Sequence, residues 1–237
     1  MKVDFYKNYY TKNPTQLTNG DLKEAYGGSF LSLKNNVGKH IDYLDKKAHI
    51  LEIGSGNGGF SNYCDKLGFK NYIGFDLDDN MTQKTQKIFP NYKFYSKDIF
   101  DFLNSQKNAF DVVFMSHVFE HLEEERACEI SKLIYESLKL GGIWINTMPN
   151  AEAPYTSQRY LDVTHKKIYS SNSFSQILLE IGFEKNNINH YEQVLGNNII
   201  IRGIMKIFKY FHKAFLLSAG IYPPKIFTQN IFTIAKK

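Results

Sequence analysis

The sequence predicts an α/β protein built on a doubly wound, mostly parallel sheet with helices on both faces. Three observations carry the prediction. Short apolar runs of strand length alternate with helical patterns roughly every 20–25 residues, the rhythm of strand, crossover helix and parallel strand. Phe110-Asp111-Val112-Val113-Phe114-Met115 is nearly all apolar, as a strand covered on both faces should be. A first strand also runs directly into a glycine-rich turn, Gly54-Ser55-Gly56-Asn57-Gly58-Gly59, which opens a helix. Sheets of this kind bind ligands beyond the carboxyl ends of their strands, so the polar residues after each strand are where function is sought.

Each element follows in order. Residues 1–45 are polar and aromatic, with weak helical periodicity broken at Asn13-Pro14 and Gly27-Gly28. They are expected to form an N-terminal cap on a main domain of residues 46–237. Ile50-Leu51-Glu52-Ile53 is the first strand, and the helix after its turn runs to about Leu67. Asn71 to Asp76 is the second strand; Asp79 caps the next helix and Pro90 closes it. Tyr92 to Tyr95 is the third strand, ending near Asp98, and Phe110 to Met115 the fourth. A long helix from Leu122 to Leu138 starts with three glutamates, favourable at a positive helix N-terminus. Gly141-Gly142 turns into a fifth strand, Ile143 to Thr147. A polar stretch, 150–172, reads as a substrate loop. A helix from Ser173 to Ile181, a strand region from Phe183, a helix from Ile199 to Leu217 and a last strand at Ile231 to Ile234 complete the chain.

Composition narrows the class. A chain of 237 residues makes one large domain. Hydrophobic residues at 43% and charged residues at 22% are ordinary for a globular protein and exclude a disordered one. Cys64 and Cys128 lie far apart and give neither a metal-ligand spacing nor a disulfide framework, so a reducing cytoplasm is expected. The N-terminus lacks a signal-peptide core, and no apolar run reaches the roughly 18 residues of a membrane span. Charge is uneven. The net charge is +5, yet no acidic residue follows Glu192 and the tail carries seven cations. The remainder holds 22 basic against 24 acidic residues, a net of −2. The basic character therefore belongs to the tail and argues against a whole-surface preference for nucleic acid.

The glycines at 54, 56 and 58 allow a tight turn that a ligand can approach, and the following helix offers unpaired N–H groups. Gly54, Gly56 and Gly59 also fit the nicotinamide-dinucleotide fingerprint, with Asp76 at a suitable distance. On the turn alone, a dinucleotide-dependent oxidoreductase stays open.

The wider motif set resembles the class I S-adenosylmethionine-dependent methyltransferases. Leu51 to Gly58 is similar to their glycine motif, Gly74-Phe75-Asp76-Leu77-Asp78 to their second-strand acidic motif, and Ser96-Lys97-Asp98-Ile99 to their adenine-contacting turn. Phe110 to Val113 through Glu120-His121-Leu122 is similar to the fourth-strand motif, and Leu138 to Gly142 to the approach to the fifth strand. The five occur in family order over residues 48–148. The resemblance implies a seven-stranded Rossmann-like sheet whose last strand is antiparallel, with S-adenosylmethionine as methyl donor and S-adenosylhomocysteine as product. It implies that Asp76 accepts the ribose hydroxyls, that Leu77 and Met81 flank the adenine, and that Asp98 and the Ile99 N–H meet its edge. Glu52, Gly54, Ser55, Gly56, Gly58, Ser116 and His117 border the cofactor. Tyr10, with Tyr6 and Tyr9, closes over it.

On the acceptor side, His117 is the first choice for a base or orienting group, with His165 second and Glu120 as a further candidate. Asn150, Arg159, Asp162 and His165 are expected to bind substrate, Arg159 by a bidentate grip on phosphate or carboxylate. The segment Arg159 to His165 looks like the substrate side of methyltransferases associated with surface-polysaccharide genes. The fourth strand lacks the Asn/Asp-Pro-Pro-Tyr box of amino-methylating nucleic-acid enzymes, neither cysteine is placed for cytosine chemistry, and no carboxylate cluster resembles that of catechol methyltransferases. The expected reaction is metal-free transfer to oxygen, less readily nitrogen, of a sugar, sugar-phosphate or capsule or lipopolysaccharide building block. A non-catalytic partner subunit that keeps the fold is the other alternative. Arg202, Lys206, Lys209 and Lys213 form one stripe on the helix within an insertion at 196–222. The expected arrangement is a lid helix packed on the sheet edge with its basic side solvated; the alternatives are a partner surface and peripheral contact with the inner membrane face through 199–217. Sequence does not separate monomer from homodimer.

Overall fold

A seven-stranded sheet in the order β3-β2-β1-β4-β5-β7-β6 forms the frame. The computed structural model describes residues 29–154, 162–194 and 199–237, and of 199–202 the backbone only. The strands are β1 (His49–Ile53), β2 (Asn71–Phe75), β3 (Lys93–Tyr95), β4 (Phe110–Ser116), β5 (Leu138–Pro149), β6 (Ile188–Glu192) and β7 (Asn230–Lys236). Only β7 runs against the rest, paired antiparallel with both β5 and β6. Strand order reverses between β1 and β4, which is the switch point where α/β sheets open a crevice.

Alternation along the central strands explains the layering. Leu51, Ile53, Val113, Met115 and Trp144 point to one side, where they meet Ile99, Leu103, Ile130, Ile134 and Phe174. Those residues come from α3 (Ile99–Asn104), α4 (Glu124–Ser137) and α5 (Ser171–Glu180). Ile50, Val112, Phe114, Ile143 and Ile145 point to the other side, onto Phe60, Tyr63, Val37 and Ile41. That side holds α1 (Gly59–Lys66), α2 (Asp79–Ile88) and a helical segment over 29–41 that winds as a π-helix through Lys34–Gly38. Asn36 ties this segment to the end of β6, accepting from Val194 N at 2.7 Å and donating to Val194 O at 3.3 Å.

Several boundaries differ from expectation for local reasons. Asp78, rather than Asp79, caps α2; its side chain accepts from Asn80 N and Met81 N. The short helix α3 was not expected; Asp98 caps it by accepting from Phe100 N. A 3-10 turn, Phe119–His121, precedes α4, which therefore starts at Glu124 rather than Leu122. Ile188 opens β6 after another 3-10 turn, Lys185–Asn187, so no strand begins at Phe183. Strand β5 begins at Leu138 and passes through Gly141-Gly142, following β4 past an irregularity between Phe110 and Val112. A Cβ at Gly142 would sit 2.9 Å from the carbonyl oxygens of both Lys139 and Phe110, so only glycine lets the strands approach there.

Helix α6 (Ile199–Ser218) sits between β6 and β7, and it reverses the expected orientation. Lys209 pairs with Glu192 and also lies over the Phe227 ring, as does Lys213, so two members of the basic stripe face the body. Ile204, Ile207, Phe208, Phe211 and Phe215 are each more than half exposed. The apolar side of the helix faces outward.

Candidate active site

The glycine turn is clamped by the end of β2. Gly54 N and Ser55 N both donate to Phe75 O, at 2.8 and 2.9 Å. Asp76 then folds back onto the turn, with Oδ2 accepting from Gly56 N at 2.7 Å and Oδ1 from Asp78 N at 2.9 Å. Thr85 on α2 braces the other side by donating to Gly56 O at 3.1 Å. Gly54 has φ +81°, and a Cβ there would lie 2.2 Å from Val118 Cγ2. The first glycine thus admits the β4 exit against the turn. Gly56 has φ +46°, and a Cβ there would meet nothing within 4 Å. Gly58, with φ +82°, is the N-cap of α1.

Asp76 is the focus of this half. Burial pushes its carboxyl above the usual aspartate range, against the opposing effect of the Asp78 and Gly56 N–H groups. A carboxylate offers about four lone-pair directions, so the bonds accepted from backbone N–H groups leave capacity for a ligand hydroxyl. Leu77 beside it is 77% exposed and Met81 is partly buried, which leaves apolar surface next to the carboxylate. Asp98 spends one oxygen on capping α3 and pairs the other with Arg126 at 3.1 Å, while Ile99 is buried in the core and its backbone opens that helix. Ser55 is buried, and its hydroxyl has no partner among the described residues.

Glu52 lies elsewhere. It is 4% exposed and points under α1, where Tyr72 donates to it and Ser61 lies 3.4 Å away. Burial pushes its carboxyl up to about 8, a rise opposed by the Tyr72 bond and assisted by Asp76. Its side chain supports the turn from within, through Tyr72 and Ser61.

The second half follows β4. Ser116 ends the strand opposite Thr147. His117 takes φ +54°, a left-handed conformation that bulky residues adopt only when their surroundings enforce it. Its N–H donates to Thr147 O at 2.9 Å, and its Nδ1 lies 3.2 Å from Glu120 Oε1. The His117 side chain is half exposed whereas that of Glu120 is buried. Glu120 Oε2 has no hydrogen-bond partner among the described residues.

The loop after residue 161 closes onto this turn. Lys166 N donates to Glu120 O at 2.8 Å, and Lys166 and Lys167 pair with Glu123 and Glu124. Asp162 does not bond the His165 imidazole. It accepts from Thr164 N and Oγ1, at 2.8 and 2.6 Å, and Thr164 Oγ1 meets His121 Nδ1 at 2.8 Å. A hydroxyl that donates to Asp162 must accept from His121, so Nδ1 carries the His121 proton. Burial holds His121 below the usual histidine range; Glu120 opposes this and His165 adds to it. The His121 and His165 rings meet edge to face at 4.8 Å, and His165 Nδ1 is buried without a hydrogen-bond partner among the described residues. Glu120, His121 and His165 bring ligand-type atoms within 4.8 Å of one another, a spacing open to a proton relay or a cation.

Asn150 has a different task from the substrate contact expected of it. It is fully buried; its amide donates to Ile226 O and Thr228 O, at 2.8 and 3.0 Å, and accepts from Glu152 N. It clamps the β5 exit to the segment entering β7. Tyr10 and Arg159 lie outside the described residues. Sequence reasoning overlooked Thr164, although Asp-x-Thr is a recognisable side-chain turn, and Thr85, whose backbone bracing leaves no sequence signal.

A mostly parallel sheet with a clamped glycine turn after the first strand and an acid after the second is the arrangement expected of a class I methyltransferase. The family profile described as a methyltransferase domain matches residues 29–187. The chain belongs to that family and is a methyltransferase. Among solved structures it is similar to an S-adenosylmethionine-dependent methyltransferase from Archaeoglobus fulgidus, at 25% identity, with 91% of this chain and 97% of that one covered and a TM-score of 0.65. Phosphoethanolamine N-methyltransferase 2 from Haemonchus contortus, solved with S-adenosyl-L-methionine, shares the fold at 16% identity and TM-score 0.62, over 97% of this chain and 59% of that one. A TehB-like methyltransferase from Corynebacterium glutamicum gives 17% identity and TM-score 0.59, over 98% and 97%. No curated protein sequence matches the chain. The oxidoreductase reading of Gly54, Gly56 and Gly59 is set aside.

Proposed function

We propose that the chain transfers the methyl group of S-adenosylmethionine to a hydroxyl of a sugar, sugar-phosphate or related surface-glycan precursor. The observation that carries the methyl-transfer part of this reading is the pairing of Asp76, closed on the Gly56 N–H, with His117 held left-handed at the end of β4. The residues fit the cofactor: Gly56 leaves open space where a side chain would stand, and Asp76 keeps acceptor capacity beside exposed Leu77. Asp76 would hold the ribose, Leu77 and Met81 the faces of the adenine, and Asp98 and the Ile99 N–H its edge, with Ser55, Gly58 and Ser116 lining the approach. When bound, S-adenosylmethionine supplies a methyl group already activated for displacement.

The protein's task is then alignment, which supplies up to roughly 7–11 kcal/mol of a barrier, and removal of one proton. His117 takes the acceptor hydroxyl proton, as its exposed ring beside buried Glu120 allows. Glu120 is a positioning residue that fixes the imidazole. Asp162 and His165 frame the acceptor through the turn that Thr164 builds, and Arg159 grips an anionic group on it. The sugar assignment rests on this polar segment. The test is incubation with methyl-labelled cofactor and a panel of sugar phosphates and nucleotide sugars, read by mass spectrometry. A methyl ether on a sugar oxygen is expected. Transfer only to amines, or cofactor binding with no transfer to any hydroxyl, overturns the reading.

A further inference from the structure

We propose that the outward face of α6 is a docking surface for an anionic lipid bilayer, and that it brings a membrane-borne acceptor to the active-site edge. Four observations converge. The outer face carries Ile204, Ile207, Phe208, Phe211 and Phe215, spaced i, i+3, i+4, i+7 and i+11, all more than half exposed. Aromatic and apolar exposure continues past the helix, with Tyr222 94% exposed.

Charge selects the occupant. No acidic residue occurs after Glu192, and of the cations in that segment Lys209 and Lys213 turn inward onto Glu192 and Phe227. Exposed Lys206 and Lys225 lie on the helix and on the segment that returns from it. An apolar face with basic flanks and no acid is the pattern of a helix lying in a lipid interface, where stems bury beside acyl chains and ammonium groups reach phosphates. A second copy would set the same cations against each other.

The site of attachment gives the surface a purpose. Strand β6 is parallel to β1–β5, so the chain leaves it after Glu192 at the edge that holds Gly54–Gly58, Asp76 and His117. It returns to that edge to begin β7 at Asn230, opposite Pro149. Gln193 N donates to Thr228 Oγ1, Asn230 donates to the Gln193 side chain, and Asn150 holds Ile226 and Thr228. The root of the insertion is thereby fixed beside the β5 exit. Lys209 pairs with Glu192 on the inner side of the helix, away from its exposed apolar face. No helix among the described residues is long and apolar enough to cross a membrane, so the contact is in-plane. The acceptor implied is a glycan precursor carried on a lipid. That part rests on the methyl-transfer reading; the surface itself does not.

The experiment is vesicle flotation of the full chain. Vesicles of about three parts phosphatidylcholine to one of phosphatidylglycerol are compared with pure phosphatidylcholine at low salt, where surface attraction is least screened. Flotation with the anionic vesicles, weakened by added salt, is expected. Ile207→Asp/Phe211→Asp should reduce the partition at least about tenfold while leaving S-adenosylhomocysteine affinity unchanged. Lys206→Glu should weaken it less. Absence of flotation at low salt overturns the proposal. So does a dimer that the double variant turns into monomer, which would assign the face to a second copy. A large fall in thermal stability of the double variant would mean the face is covered within the chain and would overturn it too. Cofactor affinity measured on the same samples separates failure here from failure of the methyltransferase reading.

Discussion

Replacing Glu52 by Gln should remove a loss of stability that the parent protein suffers as pH rises above mildly acidic values. Glu52 is buried with Tyr72 and Ser61, and burial raises its carboxyl from an ordinary 4.5 to about 8. The folded state therefore holds this proton to higher pH than the unfolded chain does. Stability depends on the difference in bound protons between the two states. Between pH 4.5 and 8 the folded form binds more protons, so stability falls as pH rises through that window. At 1.36 kcal/mol per tenfold, the full displacement corresponds to about 5 kcal/mol, and relaxation of the site reduces it to about 2–5 kcal/mol. Glutamine copies the shape of the neutral acid and cannot ionise. Whatever fixed cost its amide brings cancels when the same pair of proteins is compared at two pH values.

The assay is thermal unfolding of both proteins at pH 5 and pH 8. For a chain of this size the variant's advantage should grow by on the order of 10 °C between the two. An advantage that does not change with pH refutes the assignment of a buried, proton-holding carboxyl. Because Glu52 supports the turn from inside, the variant should bind S-adenosylhomocysteine within about threefold of the parent.

Asp76→Ala should weaken S-adenosylhomocysteine binding about tenfold to a hundredfold by calorimetry, the loss expected for charge-assisted bonds; unchanged affinity would remove the ribose assignment. His117→Ala should lower turnover about a hundredfold or more with cofactor affinity retained, and Glu120→Gln should shift the alkaline or acid limb of the pH–rate profile. Full activity in His117→Ala would mean that the acceptor needs no proton removed. Activity should survive a chelator; a loss restored by a divalent cation would reassign Glu120, His121 and His165 to metal binding. Asn150→Ala should cost about 1–3 kcal/mol of stability by breaking the clamp to Ile226 and Thr228, measured by denaturant unfolding, with cofactor affinity kept.

The cofactor half was legible in the sequence because its geometry is local. A strand, a glycine turn and an acid ending the next strand fix one another through short-range bonds: Gly54 and Ser55 to Phe75, and Gly56 to Asp76. The same locality made the sheet readable, since each strand is its own apolar run. Where side chains face was less readable. The sequence places Glu52 beside the turn, and the partners it finds beneath α1, Tyr72 and Ser61, follow from strand alternation and not from the motif. Asn150 looked like a substrate contact because it follows a strand end, but the two carbonyls its amide donates to lie more than seventy residues away.

Helix α6 is the sharpest instance, and it turns on what a helix pattern can say. A stripe of cations opposite a broad apolar surface specifies two faces and does not specify which one meets the protein. The usual inference buries the apolar face, because water is the assumed alternative. Here Lys209 and Lys213 face inward, onto one acid at the end of β6, Glu192, and one ring, Phe227. Such contacts are individually weak, whereas leaving five large apolar side chains in water forgoes roughly 1.5–3 kcal/mol for each. An orientation that gives up the larger quantity for the smaller is stable only if something apolar covers the outer face. That imbalance, more than any single residue, is the reason to look for a lipid surface at the edge of the sheet where His117 and Asp76 stand.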